Sequence, residues 1–457
     1  MIRIITLAAA ATLLLSTGSA AAQGQQHALE ARYDRALAAG YKALMLCSAI
    51  AHAEANGTTR TPQSVEQWEL TGIQSPLDGI VRTLGYEIVR HDNGTLERVT
   101  VGWDASAEPR AAIHLDGDNG CALNPLGGPS AFYGRPANPA RGRRVDPVAV
   151  RNAPAALAPV FTAAIGNGYG EATRTTAVVV QRGGTIIGEQ YADSFGPVTP
   201  QRTWSVAKSI AATLVGAAVQ RGAAGVEESA GLGYAEGDPR RAITIDDLLR
   251  MTSGRYSDTP GNRTDPLYWG GASIHEVALD WPLIDWPGTT FRYANNDTLA
   301  AVAAIAPTFD DHSPSDFFAK LGMNHTVAET DWRRSYILSS QVWTTARDLA
   351  RFGQLYLSDG KILQGTRILP EGWVKYISTP SGPQPDGPFG YGAGFWLMNR
   401  SEGVPSDTIA AFGNRGQYVV IVPSRQVVIV RRGEDPVGSS FDIAALTRDV
   451  LAALPAE

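Results

Sequence analysis

The chain has 457 residues, of which 44% are hydrophobic and 18% are charged, and its formal net charge at pH 7 is −6. This balance is typical of a globular protein, and the length allows two or three domains. The mildly acidic charge argues against nucleic acid or an anionic membrane surface as the main partner.

The first residues, 1–22, have the pattern of a secretory signal peptide. Arg3 provides the positive start, residues 4–15 form the apolar run, and three alanines at 20–22 offer a cleavage site. The apolar run is too short to span a bilayer, so an uncleaved anchor is the lesser alternative. We therefore expect a periplasmic or secreted protein that begins near Gln23 and has no stable membrane insertion.

Residues 23–123 predict a small α/β module. An apolar stripe over 27–53 predicts a long helix, and 65–70 a shorter one. Strands are predicted at 86–90 and 96–103, and Asn93-Gly94 between them is a hairpin signal. The acidic stretch 116–120 lacks the glycine and the glutamate of a calcium loop, so it is interpreted as a turn.

The two cysteines of the chain, Cys47 and Cys121, both fall in this module. In an oxidising compartment, two cysteines and no others suggest one disulfide. Two buried thiols are the alternative, because the sequence does not show how far apart the side chains lie.

Residues 124–150 are rich in Pro, Gly and Arg and predict a linker, with a solvated arginine cluster at 141–144. Residues 151–457 then form the second predicted domain. Its predicted helices are 154–165, 205–221, 245–249, 344–357 and 441–454, and its predicted strands are 175–182, 185–191, 391–397, 417–422 and 426–432. Strands at both ends with helical material between them predict an α+β fold, in which an antiparallel sheet is flanked by helices and carries an inserted helical lobe.

Ser205 and Lys208 are the first candidate catalytic residues. Three residues apart at the start of a helix, they lie on one face, so the amine can touch the hydroxyl. A serine hydroxyl needs a nearby base, and a lysine can act as one only when its pKa is lowered. Only five of the 39 basic residues are lysines, so a lysine at this position suggests a chemical requirement.

The Ser-x-x-Lys pattern alone is weak, because the chain contains a second copy from Ser358 to Lys361. That copy lies on an Asp-Gly turn where nothing presents the serine at a helix start, and it is interpreted as a surface loop.

Two further motifs can complete a site. Tyr293, if held near Lys208, is expected to ionise more readily and to share the proton transfer, and Asn295 can orient the lysine or bind a substrate carbonyl. Gly416 allows close approach of a substrate, and the amide of Gln417 is predicted to form an oxyanion hole with the amide of Ser205. The alternatives are a buried tyrosine with a satisfied hydroxyl and an ordinary turn before a strand.

In this order, Ser205-x-x-Lys208, Tyr293-x-Asn295 and x-x-Gly416 resemble the three motifs of the serine β-lactamase and penicillin-binding protein superfamily. The resemblance covers about two thirds of the chain. It is strongest to class C-like hydrolases, which include esterases and 6-aminohexanoate-dimer hydrolase and use Tyr in the second motif. It implies a β-lactamase/transpeptidase-like fold, an acyl-enzyme on Ser205 with Lys208 and Tyr293 moving protons, and no metal or organic cofactor.

One departure bears on the substrate. The family's β-lactamases and D-alanyl peptidases usually begin the third motif with Lys or His, whereas this chain has Asn414. Arg415 follows, but successive residues of a strand face opposite sides, so its side chain is not expected to replace that charge. The departure favours an amidase or esterase over a β-lactamase or D-alanyl peptidase.

The sequence therefore predicts an exported serine hydrolase that cleaves amide or ester bonds of small substrates. The alternatives are a penicillin-binding D-alanyl peptidase or β-lactamase and, in a different class, a non-catalytic acyl-ligand sensor.

Overall fold

The computed structural model describes residues 5–116, 118–130, 146–257, 264–362 and 365–455, with side chains from residue 23 onward. The arginine cluster at 141–144 and most of the predicted linker lie outside these residues. The α-helices of the described chain are α1 Ile5–Ala55, α2 Pro62–Trp68, α3 Leu77–Val81, α4 Ala158–Ile165, α5 Val206–Gln220, α6 Ile245–Leu249, α7 Asn295–Ile305, α8 Pro314–Lys320, α9 Ala346–Leu357, α10 Trp373–Ser378 and α11 Ile443–Ala453.

The strands form three antiparallel sheets within the described residues, with strand orders β1-β2-β3-β4, β10-β11-β12-β13-β14-β5-β6 and β7-β9-β8. Their bounds are β1 Tyr86–Arg90, β2 Leu96–Val101, β3 Arg110–Asp116, β4 Gly120–Leu123, β5 Thr175–Arg182, β6 Thr185–Tyr191, β7 Gln201–Arg202, β8 Val327–Ala328, β9 Val342–Thr344, β10 Gly390–Tyr391, β11 Trp396–Leu397, β12 Ile409–Gly413, β13 Gln417–Val422 and β14 Val427–Gly433.

The seven-stranded sheet is built from both ends of the second domain, as the sequence predicts. Strand β14, near the C-terminus, pairs with β5, so that Val430 lies opposite Val179. Both faces of the sheet are covered, which explains why these strands are continuous apolar runs instead of alternating ones. Alternate residues pack against α5 and α9 on one face, and against α4 and α11 on the other.

The N-terminal module folds its long helix against a four-stranded meander. Helix α1 extends from Ile5 to Ala55, so the predicted signal segment and the predicted helix at 27–53 are continuous in the structure. The stretch Gln23–Ala55 is long and apolar enough to cross a membrane, but 94% of its most apolar window is buried inside the protein. Burial to this extent is typical of a core helix.

The module and the second domain share one hydrophobic core. The cluster around Tyr41 and Leu44 of α1 also contains Tyr268, Leu299 and Trp343 from the second domain. Within the module, Cys47 of α1 and Cys121 of β4 are joined by a disulfide, with Cα atoms 6.1 Å apart.

Two predictions about strands need correction. The stretch 391–397 is not one strand, because Gly394 has a φ of 75° and the chain turns there to form the β10–β11 hairpin. Strand β12 was not predicted, although it is a central strand of the large sheet. Its sequence, IAAFG, is rich in small residues that have little strand preference.

Candidate active site

Ser205 lies between the short strand β7 and helix α5, where the chain makes a sharp turn. Trp204, immediately before it, has a φ of 48°, a left-handed conformation that a bulky residue rarely adopts. The turn leaves Ser205 partly exposed at the N-cap of a helix whose next residues are buried. Its hydroxyl is therefore accessible. The N–H groups of the next three residues donate to the carbonyls of Thr203, Trp204 and Ser205 at 3.3, 3.0 and 3.0 Å, so they are not available to a substrate.

Lys208 lies one helical turn further on and is only 2% exposed. Its Nζ donates hydrogen bonds to Ser205 Oγ at 2.9 Å, to the Ser339 carbonyl at 3.1 Å and to Asn295 Oδ1. Burial away from water lowers the pKa of Lys208 to about 7. A substantial fraction of the amine is therefore neutral near pH 7 and able to accept a proton.

Tyr293 faces the same lysine, whose Nζ is 5.0 Å from the centre of the phenol ring. Contrary to the expected easier ionisation, burial raises the pKa of Tyr293 to about 12, although hydrogen bonds to Ser205 and Trp396 act in the opposite direction. The expectation fails because burial of the phenol itself disfavours the charged phenolate by more than these two hydrogen bonds favour it. The phenol stays protonated.

Asn295 begins helix α7 and is 7% exposed. While its Oδ1 accepts from Lys208, its Nδ2 donates to Thr264 Oγ1 at 3.3 Å and to the hydroxyl of Tyr268 at 3.5 Å. These bonds fix the amide so that its oxygen faces the lysine.

A cavity of about 580 Å³ opens over Ser205. Half of its lining residues are aromatic, and none of those that the structure describes carries a charged side chain. The lining residues are Trp204, Ser205, Tyr268, Tyr293, Asn295, Ser340, Trp396, Phe412, Gly413, Asn414, Tyr418 and Val437.

The predicted third motif lies only partly at the cavity. Gly413 and Asn414 line it, whereas Gly416 and Gln417 do not. A Cβ at Gly416 would overlap the guanidinium of Arg431, and the Gln417 side chain is buried in hydrogen bonds to Arg432 and the Gly433 carbonyl. A Cβ at Gly413, in contrast, would lie 3.2 Å from the Ser205 nitrogen.

Arg415 does not supply a positive charge to the cavity. It is 5% exposed, and its guanidinium turns away to bind backbone carbonyls of the N-terminal module.

Most of the aromatic wall was not predicted as part of the site, including Tyr268, Trp396 and Tyr418. Trp396 and Tyr418 belong to stretches, 391–397 and 417–422, that were predicted as strands, but nothing in the sequence shows that their rings face the same cavity as Tyr268. Within the part of the chain that the structure describes, no group of three His, Cys, Asp or Glu side chains is placed to hold a metal ion.

A family model described as Beta-lactamase matches residues 161–451, which include every element of this site. The chain belongs to the beta-lactamase family. Its antiparallel sheet flanked by helices is the β-lactamase/transpeptidase fold.

The relatives point to a serine hydrolase within the family. The chain is 25% identical over 301 residues to the 6-aminohexanoate-dimer hydrolase of Paenarthrobacter ureafaciens, a match that covers 58% of this chain and 74% of that enzyme. Together with the family match, this relationship makes the protein a beta-lactamase-family serine hydrolase.

Two solved structures agree with the fold. One is a candidate 6-aminohexanoate-dimer hydrolase from Bacillus anthracis, with a TM-score of 0.52 and 22% identity over 61% of this chain and 79% of that one. The other is a candidate beta-lactamase from Bacteroides dorei DSM 17855, with a TM-score of 0.53 and 21% identity over 65% of this chain and 98% of that one.

Proposed function

We propose that this protein is an exported serine hydrolase that cleaves ester or amide bonds of small substrates through an acyl-enzyme on Ser205. The observation that carries the proposal is the 2.9 Å contact between Ser205 Oγ and the buried Nζ of Lys208. A lysine with a pKa near 7 is matched to proton transfer at neutral pH.

In the proposed reaction, Ser205 Oγ attacks the substrate carbonyl carbon while its proton passes to the neutral amine of Lys208. The protonated phenol of Tyr293 donates a proton to the departing alcohol or amine, and Lys208 restores the phenol's proton. Water then attacks the acyl carbon and gives a proton to the amine of Lys208. As the bond from the acyl carbon to Ser205 Oγ breaks, Lys208 returns that proton to Oγ, which releases the carboxylic acid and restores both residues. The raised pKa of Tyr293 supports the role of a proton donor.

For the oxyanion hole we propose the backbone N–H groups of Ser205 and Asn414. Because Gly413 has no Cβ, the end of strand β12 can lie against the start of α5, and the next residue, Asn414, lines the cavity. Loss of one such donor typically costs about 3 kcal/mol of the activation barrier.

The lining of the cavity over Ser205 favours substrates with small, uncharged acyl groups. Its aromatic rings can bury apolar surface, and the described lining offers no cation to a carboxylate. The absence of a basic side chain at Asn414 weighs against penicillin-like substrates. The relative named as a 6-aminohexanoate-dimer hydrolase adds short ω-amino-acid amides to the substrates worth testing.

Export is supported by the signal-like pattern of residues 1–22 and by the Cys47–Cys121 disulfide, a bond that is stable in oxidising compartments. We propose a signal peptide at 1–22, an N-terminal module at 23–123, a linker at 124–150 and a hydrolase domain at 151–457, within which the family match falls.

The test combines a fluorophosphonate probe with a screen of p-nitrophenyl esters, ω-amino-acid amides and nitrocefin. The wild-type protein should be labelled and should turn over esters or amides, and Ser205→Ala should lose both activities. Labelling and turnover that persist in Ser205→Ala would remove Ser205 from the mechanism. Rapid hydrolysis of nitrocefin would favour a β-lactamase, and acylation without turnover would favour a sensor.

A further inference from the structure

The loop that follows the candidate oxyanion residue is held by the N-terminal module. Arg415 has a φ of 57°, so its backbone is left-handed, and its own N–H donates to Asn414 Oδ1 at 2.9 Å. A non-glycine residue keeps this conformation only where its surroundings hold it in place. The contacts of the Arg415 side chain identify those surroundings.

The guanidinium of Arg415 is surrounded by carbonyl oxygens from the module. It donates to the carbonyls of Trp68 at 3.0 Å, Glu69 at 2.7 Å and Thr71 at 2.6 Å. It also pairs with the Glu434 carboxylate at 3.1 Å and donates to the Asp435 carbonyl at 3.2 Å. The planar fork of an arginine can bind this many acceptors at once, whereas a lysine ammonium cannot.

The same stretch of the module also reaches the cavity wall. The Gly72 carbonyl accepts from the N–H of Val437, which lines the cavity, at 2.9 Å. At the other end of the stretch, Arg174 of the hydrolase domain donates to the Gln67 carbonyl at 2.7 Å. Residues 67–72 therefore use a row of backbone carbonyls to bind loops of the hydrolase domain.

We propose that Arg415 is a positioning residue through which segment 67–72 of the N-terminal module holds Asn414 in place for catalysis. The proposal rests on the function proposed above, in which the Asn414 amide stabilises the oxyanion. It gives the module a role in the reaction, since an oxyanion donor displaced by about 1 Å can cost about 10²-fold in rate.

The experiment compares Arg415→Lys with the matched control Arg347→Lys. Arg347 is also a buried arginine, 7% exposed, that pairs with Glu189 and donates to the carbonyls of Pro147 and Ala149, but it does not line the cavity. Arg415→Lys should lower kcat for the best ester about 10- to 100-fold while KM changes less than about threefold. Arg347→Lys should leave kcat within about twofold.

Amide hydrogen exchange tests, separately from catalysis, whether Arg415 holds the loop around Asn414 in place. Amides of residues 413–417 should exchange at least about tenfold faster in Arg415→Lys than in the wild type, and at the wild-type rate in Arg347→Lys. Unchanged exchange, or unchanged kcat in an active enzyme, overturns the proposal. Failure of the hydrolase function itself would instead appear as missing turnover in the wild type.

If Arg415→Lys does not fold, as judged by circular dichroism, Glu434→Gln replaces it. This change removes the charge that pairs with Arg415 but keeps a side chain of nearly the same shape. It should lower kcat about three- to tenfold and speed exchange of the same amides. Wild-type values of both quantities in this variant would also overturn the proposal.

Discussion

At the scale of single residues, the proposed mechanism depends on the protonation of Lys208. Its pKa of about 7 means that the amine gains a proton as the pH falls through neutrality and can then no longer accept one from Ser205. We expect kcat/KM for an ester to fall about tenfold per pH unit below about pH 7 and to level off above it. A stopped-flow pH profile from about pH 5 to pH 9 measures this, and a flat profile would contradict a lysine base.

The phenol of Tyr293 gives a second prediction. Tyr293→Phe keeps the ring that packs on Trp396 but removes the proton donor, so kcat should fall about 10²-fold with little change in stability. Tyr234→Phe is a suitable control, because Tyr234 is 80% exposed and outside the cavity wall. A Tyr293→Phe enzyme with wild-type kcat would show that another group protonates the leaving group.

The sequence predicted the contact between Ser205 and Lys208 and the need for a lowered lysine pKa, but its expectation for the pKa of Tyr293 was wrong. Ser205 and Lys208 are one helical turn apart, so their contact follows from local geometry. The pKa of Tyr293 depends instead on Trp396 and Tyr391, which come from a distant hairpin and surround its ring. Desolvation by residues far apart in the chain has no signature in a single sequence.

At the scale of elements, the approach of strand β12 to helix α5 is the contact that shapes the site. Gly413→Ala would place a Cβ 3.2 Å from the Ser205 nitrogen and in overlap with the Thr203 carbonyl. The strand must then move away from the helix, and we expect kcat to fall about 10- to 100-fold. Gly102→Ala is the control, since a Cβ there would meet nothing within 4 Å. Equal kcat values in the two variants would show that the reaction does not require a residue without a Cβ at position 413.

A close approach between distant segments also explains why the prediction of a strand at 391–397 was wrong. Strands such as β5 and β13 were predicted with the bounds that the structure has, because β-branched runs fill both faces of the large sheet. The stretch 391–397 looked like one strand, but Gly394 lies between two helices: its carbonyl accepts from Ser209 of α5, and its N–H donates to the Leu249 carbonyl at the end of α6. A close approach of this kind between distant segments overrides local β preference.

At the scale of the whole molecule, the N-terminal module and the hydrolase domain are joined by buried polar groups as well as by the shared core. The carboxylate of Glu329, in the hydrolase domain, accepts hydrogen bonds from Ser48, His52 and the N–H of Cys121 in the module. It also accepts from Gln341 and Trp343 of its own domain. Breaking such a buried set leaves a charge without partners, which is strongly unfavourable. We therefore expect the two parts to unfold together.

The disulfide provides a test of this coupling. Cys47 and Cys121 are separated by 74 residues, so their bond restricts a long loop of the unfolded chain, and its loss should lower the free energy of unfolding by about 4 kcal/mol. In a Cys47→Ala/Cys121→Ala variant, calorimetry should show one transition at a Tm several degrees lower. Residual esterase activity, measured after heating to a series of temperatures, should disappear at the same lower temperature, although both cysteines lie outside the cavity wall. Two separate transitions, with activity following an unshifted upper one, would mean that the hydrolase domain is stable without the module.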